Sequence, residues 1–271
     1  MYLFEKCCRK LRNAPLFKGL DPIWEAVTPL YERLLRRMYP EGLKRVINKT
    51  DVIYVPFELR HWTDTFEPEI WGQMMSRVHS GDTVADVGAF LGFYSFAFAR
   101  RAGPGGRVVA FEPDPSSYGR LIAGEKFYKK AARLQFIRSA VGDFNGAVDF
   151  QARNISISSV AAAGDKGQSI KAGCTTLDSF FGEERLDVIK IDVEGYEGKV
   201  LAGARKILNR AQGFPRAIFI EVHPYAWSGF DTSGDSLLAI LREAGYRVVD
   251  PAGAKVDAVT AYGEIIALKG A

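Results

Sequence analysis

The sequence predicts an α/β protein: a mostly parallel sheet of seven strands with helices on both faces, preceded by a helical extension. Three observations carry the prediction. Short apolar runs rich in β-branched residues alternate with segments of helical periodicity, which is the order of a parallel sheet built from βαβ units. Acids stand at the ends of several runs, at Asp86, Glu112, Asp192 and Glu221, and polar groups at successive strand ends define the ligand face of an open sheet. After the first of these runs the chain turns through Gly88 and Gly92, which free the backbone to turn tightly and to approach a ligand closely.

Residues 1–50 read as the helical extension and residues 51–271 as one domain. Asp21-Pro22 supplies a helix cap and a first-turn proline. Trp24, Val27, Leu30, Tyr31, Leu34, Leu35 and Met38 follow at three-and-four spacing and draw one apolar stripe, which Pro40 and Gly42 end. The stripe suits a cap packed on the sheet domain or a homodimer contact. Ahead of it, Tyr2 to Arg12 is a basic amphipathic stretch with Lys6, Arg9, Lys10 and Arg12. Its apolar face is too short to make a firm membrane signal. Next, Glu67-Pro68-Glu69 starts a helix that carries Ile70, Met74 and Val78. With His61-Trp62 and Phe66 it reads as core packing or as a cover over the ligand.

The ligand elements come in order. Residues 83–87 form the first strand, and Phe93, Phe96, Ala97 and Arg100 keep helical spacing after Gly92. The loop is not Gly-x-Gly-x-x-Gly, because Ala89 and Phe90 follow Gly88. An acid before the first glycine would repel a pyrophosphate, but it can receive a cationic ammonium group. Residues 107–111 form the second strand and end in Glu112-Pro113-Asp114. Pro113 cannot continue the strand, and an acid at this tip is placed to hold both ribose hydroxyls. Residues 134–138 are a third strand, followed by Ala140-Val-Gly142-Asp143. Asp143 reads as an acceptor for an adenine amino group, as turn chemistry with Asn145-Gly146, or as both. Leu186-Asp-Val-Ile-Lys-Ile191 has the near-continuous apolar character of a central parallel strand and ends in Asp192-Val-Glu194-Gly195. Ala217-Ile-Phe-Ile-Glu221-Val-His223 repeats the design. Ribose, adenine and ammonium without a phosphate are the parts of S-adenosylmethionine. The remaining elements are a helix over 236–244, a strand over 246–249, a turn at Ala252-Gly253-Ala254 and a last strand over 264–268.

Asp86-Val-Gly-Ala89 with Gly92-Phe-Tyr-Ser95, Phe111-Glu-Pro-Asp114, Ala140-Val-Gly-Asp143, Thr176-Leu-Asp-Ser-Phe180, Val188-Ile-Lys-Ile-Asp-Val-Glu-Gly195 and Glu221-Val-His223 resemble the FkbM-type methyltransferases. The resemblance spans roughly residues 51–250, and its most specific part is the block from Lys190 to Gly195. One departure is Phe90-Leu91, where the family more often carries a polar residue such as Asn before an aliphatic one. The resemblance implies a Rossmann-like class I fold with a closing antiparallel hairpin. It implies S-adenosylmethionine as cofactor, S-adenosylhomocysteine as product and a hydroxyl oxygen as acceptor. The cofactor residues it implies are Asp86, Gly88, Gly92, Phe93, Ser95, Glu112, Pro113, Asp143 and Asp192, with Asp192 toward the methionine amino group.

Methyl transfer to oxygen needs an aligned attack and the removal of a proton. The candidates are His223, whose ordinary pKa suits base work, Glu194 and Asp192. Three other readings compete. A nicotinamide-dependent oxidoreductase would share the sheet and Glu112, but would want Gly-x-Gly-x-x-Gly and no Asp86. A metal-dependent enzyme would bind a divalent cation through Asp192, Glu194 and a further oxygen ligand; this is not favoured, and no metal residues are assigned. A non-catalytic S-adenosylmethionine-binding module would dispense with the strand-end acids. The acceptor is a small molecule or glycan: sugar hydroxyls, polyketide or peptide natural products and lipids all fit.

Composition agrees. A chain of 271 residues buries one large α/β core with room for an extra element. Three cysteines, Cys7, Cys8 and Cys174, form neither a disulfide framework nor a zinc spacing. With no secretory leader expected and no run of ~18 apolar residues, a cytoplasmic location is the natural reading. A net charge of +4 without a long basic run gives no reason to expect nucleic acid. Asn154 to Ser159 and the Gly- and Ala-rich run over 161–173 form the expected substrate-facing insertion.

Overall fold

The computed structural model describes residues 21–39, 42–55, 63–151, 159–160 and 169–270. Helix α1 (Asp21–Met38) leads into the hairpin β1 (Leu43–Ile47) and β2 (Asp51–Val55). Helix α2 (Pro68–Arg77) precedes the sheet domain, which opens with β3 (Thr83–Val87), α3 (Phe93–Ala102), β4 (Arg107–Phe111), α4 (Pro115–Gly124) and β5 (Arg133–Ile137). Four short strands follow: β6 (Ala140–Val141), β7 (Gly146–Gln151), β8 (Ser159–Val160) and β9 (Ile170–Thr175). The rest is α5 (Leu177–Phe181), β10 (Val188–Ile191), α6 (Glu197–Ala202), α7 (Arg205–Leu208), β11 (Ala217–Val222), α8 (Gly234–Glu243), β12 (Arg247–Val249) and β13 (Gly263–Leu268).

The main sheet has the order β12-β13-β11-β10-β3-β4-β5. The run from β11 through β10, β3 and β4 to β5 is parallel, and β13 runs antiparallel between β11 and β12. This is the expected seven-stranded sheet, closed by the expected antiparallel pair. Side chains alternate across it. Val84 joins a core with Trp71, Met74, Phe96 and Phe98 on one face, while Ala85 and Val87 join Leu177, Val200, Ile207, Leu237 and Leu241 on the other. Both faces are buried, which explains why β3, β4, β10 and β11 read as continuous apolar runs. Sequence neighbours β3 and β4 lie side by side, whereas β10 enters on the other flank of β3. The strand order therefore reverses at β3, and the loops after β3 and β10 meet there, the place where open sheets bind ligands.

Two features depart from expectation. The first is the β1–β2 hairpin, which straddles residue 50 and buries Leu43, Ile47, Ile53 and Val55 in the core that holds Trp71. Asp51 accepts a hydrogen bond from Trp71 Nε1 at 2.9 Å and pairs with Arg101 at 2.7 Å, and Tyr128 Oη bridges the backbone of Tyr54. The turn contains Asn48 and Lys49 at positive φ without a glycine, so the usual hairpin signal is missing. Asn48 instead holds the backbone of Phe66 through both side-chain atoms, at 2.6 and 2.9 Å. The second departure is a small sheet of order β6-β9-β7-β8. Residues 170–173, read as part of an insertion, belong to its strand β9. Residues 154–158 and 161–168 lie outside the described residues, as do His61-Trp62 and the stretch from Tyr2 to Arg12 with Cys7 and Cys8.

In α1 the side chains of Trp24 and Leu35 lie outside the described residues. Val27, Leu30, Leu34 and Met38 are exposed, and Tyr31 packs partly buried against the core. A cap packed by the whole stripe is not what forms. Leu30→Glu is accordingly expected to change folding stability by no more than about 0.5 kcal/mol, checked by urea unfolding. A larger loss would mean that the stripe is buried in solution. Among the described residues, no helix is long and apolar enough to cross a membrane.

Candidate active site

The loop after β3 is shaped by its glycines. Gly88 has φ +80°, and a Cβ there would lie 1.7 Å from the Asp192 carbonyl oxygen. Only glycine lets the β3 and β10 ends approach so closely. The Asp192 N–H donates to Val87 O at 3.0 Å, and the Gly88 and Ala89 N–H groups donate to Phe111 O, each at 3.0 Å. Gly92, at φ +84°, caps α3 and would press a Cβ to 2.5 Å from Leu121. One cavity opens here between the ends of β3, β4 and β10. Gly88, Glu112, Pro113, Asp192 and Glu194 line it, against a wall that includes Phe90, Phe111, Phe150 and Tyr196.

Glu112 is buried at the β4 end. Its Oε2 accepts the Phe90 N–H at 2.7 Å and its Oε1 the Asp114 N–H at 2.8 Å. Burial pushes its pKa up to about 7 against those two hydrogen bonds. Asp114 caps α4 through the Ser117 N–H at 2.7 Å, and Pro113 opens the turn between the two acids. Each Glu112 oxygen keeps a lone pair beside the cavity.

Asp86 lies beneath the loop rather than on the cavity wall. It is fully buried, and its Oδ2 accepts from Ser95 Oγ at 2.5 Å. Its Oδ1 has no hydrogen-bond partner and lies 3.8 Å from Lys190 Nζ. Burial, opposed by the Lys190 charge, raises its pKa. Lys190 opens the most specific block of the family resemblance, yet the sequence alone assigns it no role. Its register partner across the sheet is Asp86, so the two side chains share a face. The buried ammonium also reaches Asp192 at 3.2 Å and the Gly88 carbonyl at 3.5 Å, and sits over the Tyr94 ring at 5.1 Å. Burial would lower its pKa, but Asp192 and Asp86 more than offset that and raise it. Phe93 is buried and stacks on Phe66 with ring centroids 5.5 Å apart. Neither it, Gly92 nor Ser95 is among the cavity-lining residues. Asp143 is also off the wall and pairs with Lys199 at 3.2 Å.

His223, just past β11, is buried with its Nδ1 2.7 Å from Glu197 Oε1. Glu197 is fully buried and also accepts the Gly195 N–H at 2.8 Å and Trp227 Nε1–H at 2.6 Å. A carboxylate only accepts, so Nδ1 carries a hydrogen, and in the neutral ring Nε2 offers a lone pair. Nε2 faces Glu194 Oε2 at 3.5 Å and Glu221 Oε1 at 3.8 Å. Burial alone would lower the His223 pKa; the Glu197 hydrogen bond and charge, then Glu194 and Asp192, turn the net shift upward. Glu194 sits at φ +53°, a conformation that costs a non-glycine residue on the order of 1–3 kcal/mol. Burial raises its pKa. Burial, then repulsion by Asp192, pushes Glu221 up to about 7. The three catalytic candidates, Asp192, Glu194 and His223, thus meet: one ligand atom from each lies within 4.8 Å of the others, close enough for a cation.

Sequence reasoning missed Glu197. Its one signal was the spacing Glu194-Gly-Tyr-Glu197, which puts a second acid in the first turn of α6.

The residues of the cavity fit S-adenosylmethionine on two counts. Glu112, a carboxylate with spare lone pairs, could accept from the two hydroxyls of a ribose, and a further carboxylate, Asp192, could receive an ammonium.

Residues 86–248 match the family described as the methyltransferase FkbM domain. A curated relative, the hexuronic acid methyltransferase AglP of Haloferax volcanii, is 25% identical over 165 residues. The match covers 58% of this chain and 62% of that relative, so the chain spans less than two thirds of its length. Among solved structures, the fibrillarin of Aeropyrum pernix in complex with S-adenosyl-L-methionine is similar with a TM-score of 0.41 at 14% identity, over 71% of this chain and 68% of that one. An S-adenosylmethionine-dependent methyltransferase from Aquifex aeolicus has a TM-score of 0.41 at 16% identity, over 75% and 89% of the two chains.

Proposed function

Because this chain belongs to the FkbM methyltransferase family, we propose that it methylates a hydroxyl oxygen on a sugar or natural-product acceptor. The family makes it an S-adenosylmethionine-dependent methyltransferase and sets aside the nicotinamide reading. The observation that carries the oxygen acceptor is His223: a buried imidazole whose Nδ1–H is committed to Glu197 at 2.7 Å and whose Nε2 faces the acids beside the cavity. Such a group accepts a proton from a hydroxyl. The Haloferax volcanii relative is named for a hexuronic acid, which makes a pyranose hydroxyl the first acceptor to test.

S-adenosylmethionine, when bound, supplies a methyl group already activated on a sulfonium. In this reading Glu112 holds the ribose hydroxyls and Asp192 the methionine ammonium, while Lys190 balances the charge of Asp192 and Asp86 from below. Asp143 and the aromatic wall stand on the adenine side. Asp86, Ser95, Gly92 and Phe93 act through the loop: the Asp86–Ser95 bond ties β3 to the first turn of α3. At the acceptor end His223 Nε2 takes the hydroxyl proton as the oxygen is methylated, and the imidazolium so formed is held by Glu197 and Glu194. Glu194 as base is the second reading, supported by its place on the cavity wall.

Two measurements test this. Isothermal titration should show binding of S-adenosylmethionine and none of NAD. In Glu112→Ala the affinity should fall by roughly tenfold or more, since a hydrogen bond to a charged group is worth ~1.5–3 kcal/mol. Wild-type affinity in that variant would take Glu112 off the ribose.

A further inference from the structure

We infer that the acceptor is a neutral or amino-bearing sugar ring seated on Tyr225 and Tyr262, and that a uronic acid is disfavoured; this rests on the methyltransferase reading above. Tyr225 is 70% exposed and Tyr262 62% exposed. Their rings flank the His223 ring, with centroids 5.7 and 5.4 Å from it. Neither ring is free to swing: the Tyr225 hydroxyl donates to Glu194 Oε2 at 3.1 Å and the Tyr262 hydroxyl donates to Glu221. Two large aromatic faces are thus held open to solvent beside the proposed base, an arrangement that marks a binding surface. The C–H face of a pyranose packs on such rings, and its hydroxyls find acceptors in the two carboxylates that anchor them.

The charge around this platform selects among sugars. Glu221 stands opposite Glu264 in the β11–β13 register. Burial first, then repulsion from Glu67, Glu221, Glu69 and Asp192, pushes Glu264 up to about 7. Against Asp192, Glu194, Glu221, Glu264 and Glu67, the cations acting on Glu221 among the described residues are Lys190 and His223, and Lys190 is already shared between Asp86 and Asp192. A further carboxylate on the acceptor would enter a field of its own sign in a half-buried site, strongest above pH 7, where Glu221 and Glu264 are charged. Like charges a few ångström apart in such a site weaken binding by roughly tenfold or more. An ammonium on the ring would be drawn in.

The experiment uses the full chain with saturating S-adenosylhomocysteine and three probes: methyl α-D-glucopyranoside, methyl α-D-glucosaminide and methyl α-D-glucuronide. Binding is read by saturation-transfer NMR. The neutral and amino glycosides should bind, with the glucuronide at least about tenfold weaker. That gap should narrow in Glu264→Gln or at high salt, as screening requires. Tyr225→Ala and Tyr262→Ala should each weaken the neutral probe while S-adenosylhomocysteine affinity, read by titration calorimetry, stays unchanged. A glucuronide that binds as well as the glucoside would overturn the inference, and so would unchanged binding of the neutral probe in both tyrosine variants. If none of the three binds although S-adenosylhomocysteine does, the sugar platform is wrong and the methyltransferase reading stands. If S-adenosylhomocysteine itself fails to bind, that reading fails and takes the inference with it.

Discussion

Gly88→Ala is expected to remove cofactor binding and to destabilise the fold by ~3–5 kcal/mol. The new Cβ would lie 1.7 Å from the Asp192 carbonyl oxygen, at φ +80°. Neither the loop nor β10 can yield alone. The Asp192 N–H is bonded to Val87 O, and the Gly88 and Ala89 N–H groups are bonded to Phe111 O. Relieving the clash therefore moves the ends of β3, β4 and β10 together, and with them Glu112 and Asp192. Thermal unfolding and calorimetric titration with S-adenosylmethionine check this, and affinity should fall by about a hundredfold or more in whatever fraction stays folded. Gly119→Ala is the matched control. It lies in α4, where an added Cβ would meet nothing within 4 Å, so the same exchange there should stabilise by about 0.5–1 kcal/mol. Similar behaviour of the two variants would show that the close approach of β10 does not constrain the loop.

His223→Ala should cut turnover by ~10²–10⁴-fold, the usual contribution of a general base, with cofactor affinity nearly unchanged. Glu197→Gln tests the same assignment through pH. A base works when neutral, so turnover should rise with pH through the His223 pKa, which lies above its ordinary value because Glu197, Glu194 and Asp192 outweigh the effect of burial. Replacing Glu197 by its amide removes the strongest upward influence and keeps an acceptor for Nδ1–H. The rising limb should therefore move to lower pH. A purely structural Glu197 would lower stability and leave the limb in place. If His223→Ala keeps most activity while Glu194→Gln abolishes it with cofactor binding intact, the carboxylate is the base. If neither change matters, deprotonation is not limiting and the enzyme works by alignment.

The local features of this chain were legible in its sequence because each has a local physical cause. Thr83–Val87 and Val188–Ile191 read as strands from β-branched apolar content alone. Gly88 and Gly92 marked the turn because their positive φ excludes other residues, and Pro113 marked the end of β4 because it cannot continue a strand. The acids Glu112 and Asp192 could be placed at one edge because every parallel strand ends on the same side of the sheet. The seven strands and their mostly parallel order were readable for the same reason.

What only the tertiary structure decided is which of these groups face the ligand and which face one another. Asp86 was read as a ligand for the cofactor, yet it lies under the loop, since the side of β3 that carries it also carries Lys190 from β10 and Ser95 from α3. Glu197 looked like an ordinary acid in a first helical turn. Only the packing of β11 beside β10 brings His223 and Trp227 to its two oxygens. The β1–β2 hairpin was missed because its turn carries Asn48 and Lys49 at positive φ in place of a glycine, and the small sheet around β9 because β9 pairs with β6 and β7, which lie far back along the chain. Tyr225 and Tyr262 are far apart along the chain, and the sequence contains nothing that joins them; the antiparallel entry of β13 beside β11 does. Periodicity and turn chemistry act over a few residues and so can be read along the chain. Contacts across the sheet depend on strand order and register, which exist only once the chain has folded.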